Sequence, residues 1–152
     1  MPTKCTKYQH IVAAVDFSEI AEKVVCRALD LAELHQARLS VITVLEDMPI
    51  YPEPYGDFSV PSIDAEQWEQ LIDATGQRLQ ELVAKIGLSD LVQTKALTGS
   101  PKYEISHWAE VHGADLIVMG SHGHRRMFSM LGSTTDGVIH RASCDVLTLR
   151  DK

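Results

Sequence analysis

Residues 119 to 142, MGSHGHRRMFSMLGSTTDGVIHRA, hold the densest set of groups able to do chemistry in this chain. Gly120, Gly123 and Gly132 stand in a G-x-x-G-x8-G-S pattern. Without a Cβ, glycine lets the backbone approach a ligand closely and takes up positive φ angles. If a helix opens at Ser133, the N–H groups of Gly132, Ser133 and Thr134 are donors without an intrahelical acceptor, and the hydroxyls of Ser133, Thr134 and Thr135 add to them. Such donors suit a phosphate, which the positive end of a helix dipole favours by roughly 0.3 to 1 kcal/mol. The same glycines also serve a tight turn with Ser133 as a helix cap, and the spacing leaves both readings open.

Other residues invite chemistry less specifically. His122, His124 and His140 could be metal ligands, yet no carboxylate or cysteine stands at a recognisable ligand spacing from them, so no metal site is expected. The H-G-H triplet has Ser121 before it and follows the fourth apolar strand instead of the first, which excludes a nucleotidyltransferase signature. Asp16 ends an apolar run and is the one evident general base; it can equally cap a helix or pair with a basic group. Arg125 and Arg126 are suited to clamp phosphates or to lie in solvent. Cys5, Cys26 and Cys144 are odd in number and widely spaced, which suggests neither a disulfide framework nor a thiolate metal site.

These groups need a frame, and the hydrophobic periodicity supplies one. Short, nearly continuous apolar runs at His10 to Asp16, Leu39 to Leu45, Val92 to Leu97, Ala114 to Met119 and Asp145 to Leu149 read as strands. Helical spacing fills about Ile20 to His35, with Ser18 as N-cap, Ser62 to Ile86, Pro101 to about His112 behind Ser100, and Ser133 to Arg141. On the second helix Ile63, Trp68, Leu71, Ile72, Leu79, Leu82, Val83 and Ile86 form the expected core stripe. Between Glu46 and Ser62 periodicity fails; Pro49, Pro52, Pro54 and Pro61 fit no helix or central strand, and a mobile flap is expected there. Five strands alternating with four helices predict one α/β domain over residues 1–152, an open parallel sheet covered by helices on both faces. Ligands of such sheets bind at the carboxyl ends of the strands, where Asp16, Val44 and Gly120 fall.

A formal net charge of −7 and a pI near 5.4 argue against nucleic acid or an anionic membrane as partner. The N-terminal MPTKCTKYQH has no apolar signal region, and no apolar run approaches the roughly 20 residues that span a bilayer, so a cytoplasmic protein is expected.

HIVAAVDFSE near the start, LTGSP in the middle and VMGSHG…LGST near the end resemble, in order, the signatures of the universal stress protein family across essentially the whole chain. The resemblance implies a Rossmann-like five-stranded parallel sheet in order 3-2-1-4-5, a homodimer, and in one branch ATP or AMP at the carboxyl edge. It implies a stress-responsive role without an established catalytic reaction. By position it puts Ala14, Val15 and Asp16 beside the adenosine, Asp16 near the ribose or a Mg2+-bound phosphate, and the Val44 backbone at the adenine. Met119, Gly120, His122 and Gly123 would flank the ribose and first phosphates, and Gly132, Ser133 and Thr134 would hold the phosphate tail. One departure stands out: the stretch His124 to Leu131 is one residue shorter than the spacing usual in the nucleotide-binding branch. Another branch lacks the glycines and does not bind ATP. The functional expectation is therefore an adenine-nucleotide-binding sensor or regulator that is not an enzyme. Its rival is a dimeric interaction scaffold of the same family that contacts a protein client and binds no nucleotide. DVLTL at the end of the strand order would form the dimer contact.

Overall fold

A computed structural model describes residues 5–47, 63–88, 90–122 and 131–151. The flap, the glycine Gly123, and His124, Arg125, Arg126, Met127 and Met130 lie outside the described residues, apart from Glu46 and Asp47 at the flap's start. The elements run β1 (His10–Ala14), α1 (Ala21–His35), β2 (Arg38–Glu46), α2 (Ala65–Lys85), β3 (Gln93–Gly99), α3 (Pro101–Val111), β4 (Leu116–Gly120), α4 (Ser133–Arg141) and β5 (Asp145–Leu149). All pairings are parallel and the order is β3-β2-β1-β4-β5, the topology the resemblance implied.

Because strand side chains alternate between faces, the apolar runs divide their residues between two cores. Ile11, Ala13 and Val15, with Val41, Leu116 and Val118, pack against Val24, Val25 and Ala28 of α1 and Leu79 and Val83 of α2. Val12 and Ala14, with Ile42, Ile117 and Met119, pack against Ile105, Trp108 and Ala109 of α3 and Val138 of α4. On this second face α3 and α4 approach so closely that a Cβ on Gly137 would come within 2.7 Å of the Lys102 Cβ.

Local sequence fixes the helix starts, in two cases elsewhere than expected. Helix α2 opens behind Asp64, which accepts the Gln67 N–H at 2.8 Å while Gln67 Oε1 accepts the Asp64 N–H at 3.1 Å, a capping box that places the start after Ser62. At α1 the cap position is Ile20, and Ser18 contributes its carbonyl to the Ala21 N–H. The expected α2 stripe is only half realised: Leu79 and Val83 are buried, whereas Ile63 and Leu71 are exposed. The first turns of α2 thus contribute little to the core.

One polar group is built into the sheet's amino edge. His10 is 2% exposed; its Nδ1 lies 3.0 Å from the His112 carbonyl and its Nε2 2.8 Å from Ser40 Oγ. A carbonyl only accepts, so Nδ1 carries the proton and Nε2 accepts from the Ser40 hydroxyl. The Asp115 carboxylate accepts the N–H groups of Gln9 and His10 at 2.8 and 3.1 Å. Burial holds the His10 pKa below its ordinary 6.5, outweighing the opposing pull of the His112 carbonyl. The unfolded chain therefore binds the proton first. This contribution to stability is complete above pH 6.5 and is lost as pH falls below it toward the lowered folded value. Urea midpoints measured across that interval should fall with pH in the wild type and fall less steeply in His10→Gln.

Candidate functional site

The carboxyl ends of β1 and β4 form the point where strand order reverses, since β1 is followed by β2 on one side and has β4 on the other. Their last paired residues are Ala14 and Met119, both buried on the α3/α4 face. Past Ala14 the chain is held tightly. The Val15 N–H donates to the Ile42 carbonyl at 3.0 Å, and the buried Thr43 hydroxyl donates to the Val15 carbonyl at 2.7 Å. Phe17 then takes a left-handed φ of 59°, uncommon for a residue with a bulky side chain. The Ser18 N–H donates to Asp16 Oδ1 at 3.1 Å, closing a turn that leaves Asp16 exposed at the sheet edge. The Arg78 guanidinium of α2 lies over the Phe17 ring, 4.4 Å from its centroid. Asp16 therefore closes a local turn, a role the sequence did not suggest, at a position still exposed at the edge.

The exit of β4 is tied at three points. The Ser121 N–H donates to the Leu149 carbonyl at 2.8 Å, the Gly132 N–H to the Ser121 carbonyl at 2.9 Å, and the buried Thr135 hydroxyl to the Gly120 carbonyl at 2.8 Å. Space beside Gly120 is tight: a Cβ there would stand 3.1 Å from Ile20 Cγ2, so a larger residue requires that side chain to shift. These contacts amend the sequence reading. The Gly132 N–H and the Thr135 hydroxyl are engaged within the protein, so the open donors at the start of α4 reduce to the N–H groups of its first residues and the hydroxyls of Ser133 and Thr134. Ser121 carries two of the three ties; only its place directly after the glycine hinted at it.

His122 is half-buried with Nδ1 3.0 Å from Ser121 Oγ. Its Nε2 is buried and finds no hydrogen-bond partner among the described residues, and the Ser18 hydroxyl in the β1–α1 turn is in the same condition. Buried polar atoms are nearly always satisfied, so an orphan imidazole nitrogen marks a place for a ligand group or water. The structure thus gathers Ala14, Val15, Asp16, Met119, Gly120, His122, Gly132, Ser133 and Thr134 around the ends of β1 and β4. Val44, half-buried on β2 opposite Leu97, adjoins them on the far side of β1. Gly123 and Arg125 belong to the undescribed stretch. His140 is drawn away into its own helix, with Nδ1 2.8 Å from the Asp136 carbonyl. Among the described residues no group of three or more His, Cys, Asp or Glu side chains could hold a metal, and no helix is long and apolar enough to cross a membrane.

The family model described as the universal stress protein family matches residues 7–150. Universal stress protein A homolog 1 of Coxiella burnetii is 36% identical over 144 residues, 93% of this chain and 96% of that protein. Among solved structures, universal stress protein UspA from Lactobacillus plantarum is 30% identical with a TM-score of 0.70, covering 96% of this chain and 100% of that one. The universal stress protein from Archaeoglobus fulgidus solved in complex with dAMP shares the fold at 24% identity and a TM-score of 0.58, over 93% of this chain and 97% of that one.

The tie from Thr135 to Gly120 can be cut without changing much volume. Thr135→Val leaves the Gly120 carbonyl without its hydroxyl partner and should cost about 1 to 2 kcal/mol, read as a lower urea midpoint with unchanged slope.

Proposed function

This chain belongs to the universal stress protein family, and from that premise we propose that it binds an adenine nucleotide, ATP or AMP, at the carboxyl edge of its sheet and acts as a stress-response sensor or regulator. The observation that carries the reading is the buried Nε2 of His122, without a hydrogen-bond partner among the described residues, just past the end of β4 at the strand-order reversal. In this assignment the Val44 backbone faces adenine, the backbone of Ala14 and Val15 runs beside the adenosine, and that of Met119 flanks the ribose, the three side chains being buried in the two cores. Asp16 lies near the ribose or a Mg2+-bound phosphate. Gly120, His122 and Gly123 admit the ribose and first phosphates. Ser133 and Thr134 hold the phosphate tail at the positive end of α4, Gly132 supplies a bend without a Cβ, and Arg125 adds a cation.

Calorimetry with ATP, ADP and AMP, with and without Mg2+, is the test. Micromolar dissociation, about −8 kcal/mol, is within reach of several hydrogen bonds and a packed purine. Thr134→Val should weaken ATP by about threefold to tenfold, the loss of one hydroxyl contact to a charged group. Absence of heat and of thermal shift at about millimolar nucleotide would overturn the assignment. The interaction-scaffold reading would then lead.

The scaffold reading has its own support in β5, an edge strand whose Val146, Leu147 and Thr148 are only half-buried. An edge with free backbone groups and apolar side chains favours pairing with its copy about a two-fold axis. We therefore propose a homodimer through Val146 to Leu149, whichever reading of the pocket holds. Light scattering at micromolar concentration should return twice the 16.9 kDa chain mass, and a monomer mass would contradict the pairing.

A further inference from the structure

The residue after Asp16 is the least comfortable in the carboxyl edge. Phe17 holds a φ of 59° without the freedom of glycine, so its turn relaxes toward other conformations unless its side chain is fixed. Two things fix it. One is the α1/α2 core, against which the ring is partly buried; the other is Arg78 of α2, whose guanidinium carbon lies 4.4 Å from the ring centroid. Asp16 and Ser18 flank Phe17, joined by the bond from the Ser18 N–H to Asp16 Oδ1 at 3.1 Å. Rotation of Phe17 out of the left-handed region would break that bond and swing the carboxylate.

We propose that Arg78 is a positioning residue for Asp16: by capping the Phe17 ring it holds the β1–α1 turn in the conformation that presents the Asp16 carboxylate to the ligand. The effect on a ligand rests on the nucleotide reading; the effect on the turn does not. A planar guanidinium covers the ring face in a way an ammonium does not, so lysine is a partial replacement and methionine, which keeps only the apolar stem, is none.

The experiment has two arms. In the ligand-free protein, NMR should show the Ser18 amide exchanging about tenfold faster in Arg78→Met, with Arg78→Lys between it and wild type, while Val12 and Val118 in the central strands stay unchanged. In calorimetry with AMP, Arg78→Met should weaken binding at least about threefold, and should add no further loss in an Asp16→Asn background, because it acts through that carboxylate. An unchanged Ser18 amide overturns the proposal, and so does full additivity of the two substitutions. If wild-type protein takes up no AMP, the nucleotide reading fails separately and the amide exchange decides the role of Arg78.

Discussion

Three hydrogen bonds around Gly120 and Ser121 hold the working edge of this domain together. The Ser121 N–H reaches the end of β5, the Ser121 carbonyl receives the Gly132 N–H, and the Gly120 carbonyl receives the Thr135 hydroxyl. Through them the chain that leaves β4 is returned to its own starting point, and α4 begins against the strand it follows. Closing a loop becomes costlier only slowly with its length, each doubling adding about 0.6 kcal/mol. A change of one residue in the stretch between Gly120 and Gly132 is therefore a small perturbation so long as both ends are fastened, and the fastening uses the Gly120 carbonyl, the Gly132 N–H, Ser121 and Thr135.

Everything upstream serves to bring that edge into register. The central strand β1 sends alternate residues to two cores, so a slip by one position would exchange Val12 for Ile11 and put Ala13 under Trp108. With this register enforced, Ala14 must stand beside Met119, and the turns that follow the two strands must emerge together. The amino edge is secured in turn by the Asp115 carboxylate on two successive N–H groups of β1 and by the paired ring of His10. Geometry at one end of the sheet is maintained by satisfied polar groups at the other.

Strands, helices and their order were legible because doubly apolar runs and amphipathic stripes are long-range averages that single exceptions do not disturb. Family motifs added the strand order, which periodicity alone does not contain. Finer assignments failed where a local hydrogen bond competed with a plausible one. Ser18 looks like a cap, but its turn is organised by Asp16, and Ile20 takes the cap position without a side-chain bond. Thr135 looks like a third phosphate hydroxyl, but its position inside the first turn of α4 aims it at Gly120. Apolar residues at correct spacing, Ile63 and Leu71, stay exposed. The contact between Phe17 and Arg78 joins residues remote in sequence, and nothing in either neighbourhood announces it. In each case the missing information is three-dimensional: which of several competent donors is nearest an acceptor, and which apolar residues a neighbouring element covers.

The two borders of the sheet differ in character. On β3, Gln93 and Lys95 are exposed, and a lysine on a border strand discourages a further strand from docking. On β5, the half-buried Val146, Leu147 and Thr148 offer no such deterrent. A sheet with two receptive borders can recruit copies at both ends and grow without limit, as fibres do. With one border receptive and the other guarded, strand-to-strand pairing between copies favours a reciprocal contact that uses up the receptive border in both molecules at once. The asymmetry between Lys95 and Leu147 thus disfavours open-ended growth by strand addition.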